Sequence, residues 1–368
     1  METRVCRYRR TLHQIPELGR ELPETLAFVR SVLEPLGCRL WEPAEGALCA
    51  FFDGGKEETV AFRADMDALP VEESRDCPFR SAHHGRMHAC GHDGHTAMLL
   101  ELAQRLKGHL GRLERNVLLI FQPAEETDGG AESICESGIL ERCRVSRIFG
   151  FHLWPGLPEG TVWTRPGPLM AKNSEVDVTI TGRGAHITKY HEGVDALWAG
   201  GEFLRRVYAM AEGELPAEEP HLLRFGRMES GTVRNVVSDH TVMEGSLRVF
   251  SMETFHFLQR RIEEIGADLE RETGCDFTLH LSRGFPPVRN DEGLVRALTE
   301  QLGEDAPGLL EHPELTAEDF SFYQTRVPGV FCFLGAGDVP PLHASDFHFD
   351  ESVLEKGVAF YEKLLYLR

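Results

Sequence analysis

Residues 174–182, SEVDVTITG, decide how the chain divides. Val176, Val178 and Ile180 alternate with polar residues, and strict alternation is typical of a strand that buries only one face. A helical stretch, two strand-like stretches, a second helical stretch and a last strand follow, ending near Gly284. This β-α-β-β-α-β order predicts a split βαβ domain of its own.

Before this stretch, apolar runs alternate with helical patterns. The runs TVAFRADMD (59–67), NVLLIFQPAEE (116–126) and RIFGFHLWP (147–155) each end in polar residues, and a helix is expected to begin near Thr96. The same alternation resumes after residue 285. It predicts an α/β sheet with helices on its faces, formed by residues 1–173 and 286–368, with residues 174–285 as an inserted domain.

Composition excludes several classes of partner. The chain has 368 residues, with 39 Lys and Arg against 59 Asp and Glu, so its net charge of −20 disfavours nucleic acid and anionic membranes. The sequence contains no signal-peptide pattern and no apolar segment of the ~20 residues that a membrane span needs. We therefore expect a cytoplasmic protein. The nine cysteines are scattered, which indicates reduced thiols rather than a disulfide framework.

Residues that commonly bind metals cluster after the apolar runs. They follow three runs and occupy the adjacent stretch MHACGHDGH (87–95): Asp65 and Asp67, Glu125 and Glu126, His152, Cys90 and His92. Taken singly, a cysteine is usually a small core residue and paired glutamates usually lie in a solvated turn. Because sites form beyond the carboxyl ends of strands, the coincidence of thiol, imidazole and carboxylate predicts a shared metal site.

A series of motifs in order along the chain strengthens this prediction. They are RADMDALP (63–70), MHACGHDGH (87–95), FQPAEE (121–126), GFHLWP (150–155), PGPLMA (166–171), EDFSFY (318–323), FCFLGAG (331–337) and PLHASDFHFD (341–350). The series resembles the amidohydrolase branch of the M20 metallopeptidase family, which includes N-acyl-amino-acid amidohydrolases, hippurate hydrolases, auxin-conjugate hydrolases and N-acetyldiaminopimelate deacetylases. The resemblance covers nearly the whole chain. It implies a zinc-peptidase-like α/β catalytic domain with an inserted ferredoxin-like α+β lid and dimerisation domain.

The resemblance also implies a role for each motif residue. Two divalent ions would be bound by five residues, with the thiolate bridging them: Cys90, His92, Glu126, His152 and His343. Glu125 would be the catalytic base, and Asp67 would orient a ligand imidazole. A thiolate ligand favours zinc, cobalt, nickel or manganese over magnesium or calcium. The other histidines are assigned supporting or surface roles: His88 and His95 near the site, His83, His84 and His348 elsewhere.

The inserted domain carries three further candidates. In GRGAHITKYH (182–191), His186 would stabilise the oxyanion of the intermediate, in relatives often from across a homodimer. Ala185 and Tyr190 stand where relatives have glycine and proline, which leaves the reach of His186 open. Asn235 and Arg248 match positions that contact the substrate.

The resemblance therefore implies metal-dependent hydrolysis of a small N-acyl amino acid. A narrower alternative is N-acetyldiaminopimelate deacetylase of lysine biosynthesis, which AKNSE (171–175) favours weakly. A Cys–His nucleophilic hydrolase would leave Glu125, Glu126 and His343 unexplained. A non-catalytic metal-bearing binding protein would not need Glu125, and a peptidase of internal peptide bonds would not fit the cysteine-bearing motif.

Overall fold

The computed structural model describes residues 2–216 and 218–368, which form two compact units. Unit 1 consists of the described residues up to Leu169 together with Arg289–Pro313 and Asp319–Arg368. Unit 2 consists of the described residues of Met170–Val288 together with Glu314–Glu318. No helix in the described ranges is both long and apolar enough to cross a membrane.

Strands and helices alternate through much of unit 1, and two long helices lie in unit 2. The strands are β1 (Arg39–Trp41), β2 (Leu48–Phe52), β3 (Thr59–Asp65), β4 (Asn116–Gln122), β5 (Val145–Pro155), β6 (Val162–Thr164), β7 (Gly167–Met170), β8 (Lys172–Thr181), β9 (His221–Ser230), β10 (His240–Val249), β11 (Asp276–Leu281), β12 (Val288–Asn290), β13 (Gly308–Leu309) and β14 (Gly329–Gly337). The helices are α1 (Arg4–Gln14), α2 (Pro23–Leu33), α3 (His92–Leu106), α4 (Gly130–Glu136), α5 (Ile139–Arg142), α6 (Ala196–Glu214), α7 (Met252–Thr273), α8 (Glu292–Leu302), α9 (Ser321–Gln324) and α10 (Ser352–Leu365).

Unit 1 is organised around an eight-stranded sheet in the order β1-β2-β4-β3-β5-β14-β6-β13. Its central strands β4, β3, β5 and β14 run parallel, whereas β2 pairs with β4 antiparallel. Helix α3 packs against α1 and α10 and joins them in one hydrophobic core with the central strands. Every residue of β3 and β4 is buried, as expected for parallel strands in the middle of a sheet.

The parallel strands deliver the candidate residues to one edge of the sheet. β3 ends at Asp65, β4 ends just before the Pro123–Glu126 turn, and β5 carries His152 near its end. The carboxyl ends of neighbouring parallel strands meet at the same edge, which is where ligands bind in α/β folds. The predicted clustering of strand-end residues therefore has a simple basis in the topology.

The stretch that carries Cys90 and His92 differs from the prediction. Helix α3 begins at His92 rather than near Thr96, and Gly91 precedes it in a left-handed conformation with φ +88°. A Cβ on Gly91 would lie 3.1 Å from Leu153 Cδ1. Because only glycine adopts this conformation freely, Gly91 turns the chain sharply between the two candidate ligands.

Unit 2 confirms the split βαβ order. Its four strands form an antiparallel sheet in the order β11-β8-β10-β9, and α6 and α7 contribute to one core with the sheet. Val176, Val178 and Ile180 are fully buried in that core, as the alternation in 174–182 predicts. The element order and strand order are those of a ferredoxin-like α+β fold. The mixed α/β fold with an inserted α+β domain is therefore confirmed.

Candidate metal centre

Two groups of potential metal donors in unit 1 share one residue. Cys90, His92 and His152 form the first group, and Cys90, Glu126 and His343 form the second. Within each group one donor atom of every residue lies within 4.8 Å of the others. The structure thus brings together all five residues that the sequence assigned to metal ions, with the Cys90 thiol common to both groups.

The first group is held by contacts to its imidazole rings. His92 Nδ1 donates to the main-chain carbonyl of Asp67 at 2.8 Å, and His152 Nδ1 donates to the carbonyl of Leu153 at 2.7 Å. In both rings Nδ1 carries the proton, so Nε2 is the nitrogen that can bind a metal ion. His152 Nε2 lies 3.3 Å from Cys90 Sγ. His92 Nε2 is buried and has no hydrogen-bond partner among the described residues, which is an unfavourable state that a metal ion would relieve.

The turn that carries Glu125 and Glu126 is held by Asp67. The two carboxylate oxygens of Asp67 accept the main-chain N–H groups of Glu125 at 3.0 Å and Glu126 at 3.1 Å. Ala124, just before them, adopts a left-handed φ of 59°, and its N–H donates to the carbonyl of Gly19 at 3.1 Å. Asp67 therefore contacts His92 through its carbonyl and the glutamate turn through its carboxylate.

His343 reaches the site from the C-terminal part of the chain. It has a left-handed φ of 68°, and its N–H donates to the carbonyl of Ala89, next to Cys90, at 2.9 Å. Its Nε2 lies 3.3 Å from Glu126 Oε1. A non-glycine residue in this conformation stores backbone strain, which is common where a side chain must be aimed at a functional site.

The electrostatic surroundings favour cations. Burial raises the pKa of the Cys90 thiol well above its usual range, and the carboxylates of Glu126 and Glu125 raise it further. Burial alone would lower the pKa of His92, but the charges of Asp65 and Asp67 raise it to about 10. Without a metal ion the thiol and this imidazole therefore carry protons, which a bound cation would replace. One thiolate, three imidazoles and one carboxylate fit zinc, cobalt or nickel better than magnesium or calcium.

The structure adds Arg63 and Asp319, which the sequence did not assign to the site, in a buried network with Asp65 and His95. Arg63 donates to Asp65 at 2.6 Å and to Asp319 at 2.7 Å, and Asp65 accepts from His95 Nδ1 at 2.6 Å. Opposite charges nearby overcome the effect of burial and hold the pKa of Asp65 well below its usual range. Arg63 and Asp65 lie two residues apart in the motif RADMDALP. Their partners Asp319 and His95 belong to distant segments, so the motif alone did not predict the network.

The candidates in unit 2 are arranged as follows. His186 is exposed, with Nδ1 2.8 Å from Thr188 Oγ1, and the neighbouring Ile187 N–H donates to the carbonyl of Asn235 at 2.9 Å. Arg248 lies on β10 opposite Asn173 and Leu222. The structure therefore brings His186 and Asn235 together, whereas Arg248 lies on a different element.

Solved structures with this fold include proteins of known families. A protein from methicillin-resistant Staphylococcus aureus superposes with a TM-score of 0.92 at 30% identity, over 98% of this chain and 96% of its own. The Bacillus subtilis YxeP protein, a dinuclear metal binding peptidase from the M20 family, superposes with a TM-score of 0.85 at 30% identity over the same shares. A dinuclear site is thus known in a protein similar to this one.

Sequence comparison gives the same result. An N-acetyldiaminopimelate deacetylase of Streptococcus uberis is 34% identical over 361 residues, which are 95% of each chain. The model of Peptidase family M20/M25/M40 matches residues 61–367, which include both donor groups and unit 2. The chain therefore belongs to the M20 peptidase family and is a metal-dependent hydrolase of amide bonds.

Proposed function

We propose that the protein hydrolyses the amide bond of N-acyl amino acids at a site of two divalent metal ions. The observation that carries this proposal is the place of Cys90 in both donor groups. A single donor atom common to two groups is the arrangement that a bridged pair of ions requires. His92 and His152 would complete the ligands of one ion, and Glu126 and His343 those of the other.

Glu125 is the proposed general base. It lies beside the ligand Glu126, and both glutamates group with His92, with donor atoms within 4.8 Å. The bound ions would supply Lewis-acid activation of water and of the substrate carbonyl. Glu125 takes the proton from the attacking water and delivers it to the nitrogen of the leaving amine. Asp67 holds Glu125 in place through the main-chain N–H bond.

Unit 2 is the proposed lid and dimerisation domain. His186 would stabilise the oxyanion, and Asn235 and Arg248 would contact the substrate. Leu197 and Trp198, consecutive residues on α6, are 53% and 55% exposed, and β9 lies at an edge of the four-stranded sheet. Exposed apolar side chains and a sheet edge both favour association, which supports a homodimer through this unit.

One narrower substrate has specific support. The Streptococcus uberis relative is an N-acetyldiaminopimelate deacetylase, and this chain matches it over 95% of its length. N-acetyldiaminopimelate is itself an N-acyl amino acid, so the same chemistry serves both proposals. The second candidate is therefore deacetylation of this compound.

A turnover panel tests both proposals. The metal-free protein is supplied in turn with Zn²⁺, Mn²⁺, Co²⁺ or Ni²⁺ and assayed with N-acetyl, N-benzoyl and N-succinyl amino acids and with N-acetyldiaminopimelate. We expect hydrolysis that depends on added metal. A preference for N-acetyldiaminopimelate above all others would favour the second candidate. If no N-acyl amino acid is hydrolysed with any of the four metals, the proposal is wrong.

A further inference from the structure

Strands β3 and β5 stop pairing before they reach the metal centre. Their parallel ladder ends at Arg63 opposite Gly150, whereas β5 remains paired with β14 past Leu153 as far as Pro155, which lies opposite Gly337. The Leu153 N–H donates instead to His95 Nε2 at 2.8 Å. A side chain from α3 thus takes the place of a backbone partner at the edge that carries the ligands.

The main-chain groups of Leu153 contact the neighbouring proposed ligand, His152. The Leu153 carbonyl accepts the Nδ1 proton of His152 at 2.7 Å, which leaves Nε2 of that ring 3.3 Å from Cys90 Sγ. The N–H and the carbonyl of one residue are therefore engaged by two histidines. These two groups belong to the consecutive peptide planes on either side of the Leu153 Cα, so a rotation about the main chain of Leu153 would move the hydrogen bond that sets both the tautomer and the direction of His152.

The tautomer of His95 follows from its two partners. Because Nε2 accepts from the Leu153 N–H, the ring proton is on Nδ1, which donates to Asp65 Oδ1 at 2.6 Å. The other oxygen of Asp65 accepts from Arg63 at 2.6 Å. All three side chains are fully buried, so solvent does not compete for these bonds. The chain of contacts Arg63–Asp65–His95–Leu153 has one defined pattern of donors and acceptors.

We propose that His95 is a positioning residue, which replaces the missing pairing between β3 and β5 and thereby aims His152 at one of the two metal ions. This inference rests on the proposed role of His152 as a ligand. It assigns His95 no contact with metal or substrate. Removal of a group that orients a metal ligand by hydrogen bonding typically lowers the metal affinity 10- to 100-fold.

Two substitutions separate this role from general support of the fold. His95→Asn keeps a donor near the position of Nδ1 for Asp65 but removes the acceptor for the Leu153 N–H. His95→Gln places an amide oxygen near the position of Nε2 and so keeps that acceptor. If His95 only filled space in the core, neither variant would lower the affinity for one ion more than the affinity for the other.

The matched control is His83, a histidine of unit 1 that also bridges a main-chain group and a carboxylate. Its Nδ1 donates to the Pro16 carbonyl at 2.9 Å, and its Nε2 lies 3.1 Å from Glu24. His83 belongs to neither donor group. The variants His83→Asn and His83→Gln should leave the affinity for both ions unchanged.

The experiment measures the number and affinity of Zn²⁺ and Co²⁺ ions per chain by competition with a chelator. It also records the absorption spectrum of the Co²⁺ protein and the unfolding midpoint of the metal-free protein. We expect His95→Asn to lower the affinity for one of the two ions by about tenfold or more and to alter the Co²⁺ spectrum. His95→Gln should lower that affinity less. Asp65→Asn, which removes the charge that fixes the His95 proton, should weaken the same ion and serves if His95→Asn does not fold.

Three results would overturn the inference. One is binding of both ions by His95→Asn with the affinity of the original protein. Another is an equal loss of affinity for both ions in His95→Asn and His95→Gln, in proportion to the fall in the unfolding midpoint of each variant. The third is a loss in the His83 variants as large as in the His95 variants. Failure of the unsubstituted protein to bind two ions would instead contradict the proposed function.

Discussion

Glu125 and Glu126 are consecutive residues of the same type with different surroundings. Glu126 Oε1 lies 3.3 Å from His343 Nε2, and the nearby imidazoles of His343 and His92 lower the pKa of Glu126 to about 2 despite burial. It is therefore ionised and suited to bind a metal ion throughout the neutral range. Glu125 belongs to neither of the groups that contain Cys90, and proton transfer is the role that we propose for it.

The substitution Glu125→Gln tests this division of roles. The amide cannot accept a proton from water, so we expect kcat to fall by about a hundredfold to ten-thousandfold. Binding of two metal ions should be retained, because Gln keeps the shape of the turn that Asp67 holds. Steady-state kinetics and metal content measured on the same preparation check both halves. Near-normal turnover would show that another group is the base.

At the level of single elements, the start of α3 is set by Gly91. Its left-handed conformation turns the chain between Cys90 and His92, and a Cβ there would lie 3.1 Å from Leu153. We expect Gly91→Ala to lower the free energy of unfolding by about 1–2 kcal/mol, the cost of placing an L-residue in this conformation. Because the strain lies between two proposed ligands, metal affinity should fall as well.

Gly85 provides the control for this substitution. It also has a left-handed φ, of 74°, but a Cβ there would meet nothing within 4 Å. Gly85→Ala should therefore lower the stability by a similar amount and leave metal affinity unchanged. Chemical unfolding and chelator competition distinguish the two variants. An unchanged metal affinity in Gly91→Ala would contradict the role given to this turn.

Helix α1 is joined to α3 through His13. The ring contacts Asp93 at 2.7 Å and Glu73 at 3.3 Å, and Arg9 also binds Asp93, at 2.8 Å. Burial would lower the pKa of His13, but its bonds to Asp93 and Glu73 raise it above the usual value. A raised pKa in the folded state adds stability that is fully present below the unfolded pKa of about 6.5 and is lost as the pH rises through the folded pKa.

We therefore expect His13→Gln to destabilise the metal-free protein most at about pH 6 and progressively less at higher pH. The difference in the free energy of unfolding should be about 1.4 kcal/mol for each unit of pKa shift. Urea unfolding of both proteins across this range measures it. His348, which is only half-buried, is replaced by Gln as the control. A difference that stays constant or grows with pH would refute the charged state assigned to His13.

At the level of the whole molecule, a mixing experiment tests whether one subunit of the proposed homodimer completes the site of the other. His186→Ala and Glu125→Gln should each be inactive. If His186 acts across a homodimer, mixing the two variants with exchange of subunits should restore about one quarter of the original activity, because half of the dimers are mixed and each has one intact site. Activity assays before and after mixing measure this. No recovery would place His186 within its own subunit or outside the reaction.

The sequence was sufficient for the fold, and the family resemblance named the candidate donors, but neither showed how these donors are held. Strand ends and alternation depend on local patterns, so the split βαβ order and the clustering of strand-end residues could be predicted. The early start of α3 depends on the left-handed turn at Gly91, which glycine permits but does not require. The bond between His95 and Leu153 depends on where two strands cease to pair, and no local pattern encodes that position.

The position of β14 in the sheet affects the order in which the two sheets can form during synthesis. This strand lies between β5 and β6, yet it is synthesised after all four strands of the smaller sheet. Unit 2 can therefore pair its strands on the ribosome while the larger sheet still lacks a central member. His343 emerges later still, so a nascent chain exposes four of the five donors before the last is available. A metal ion captured before His343 emerges would thus meet an incomplete site.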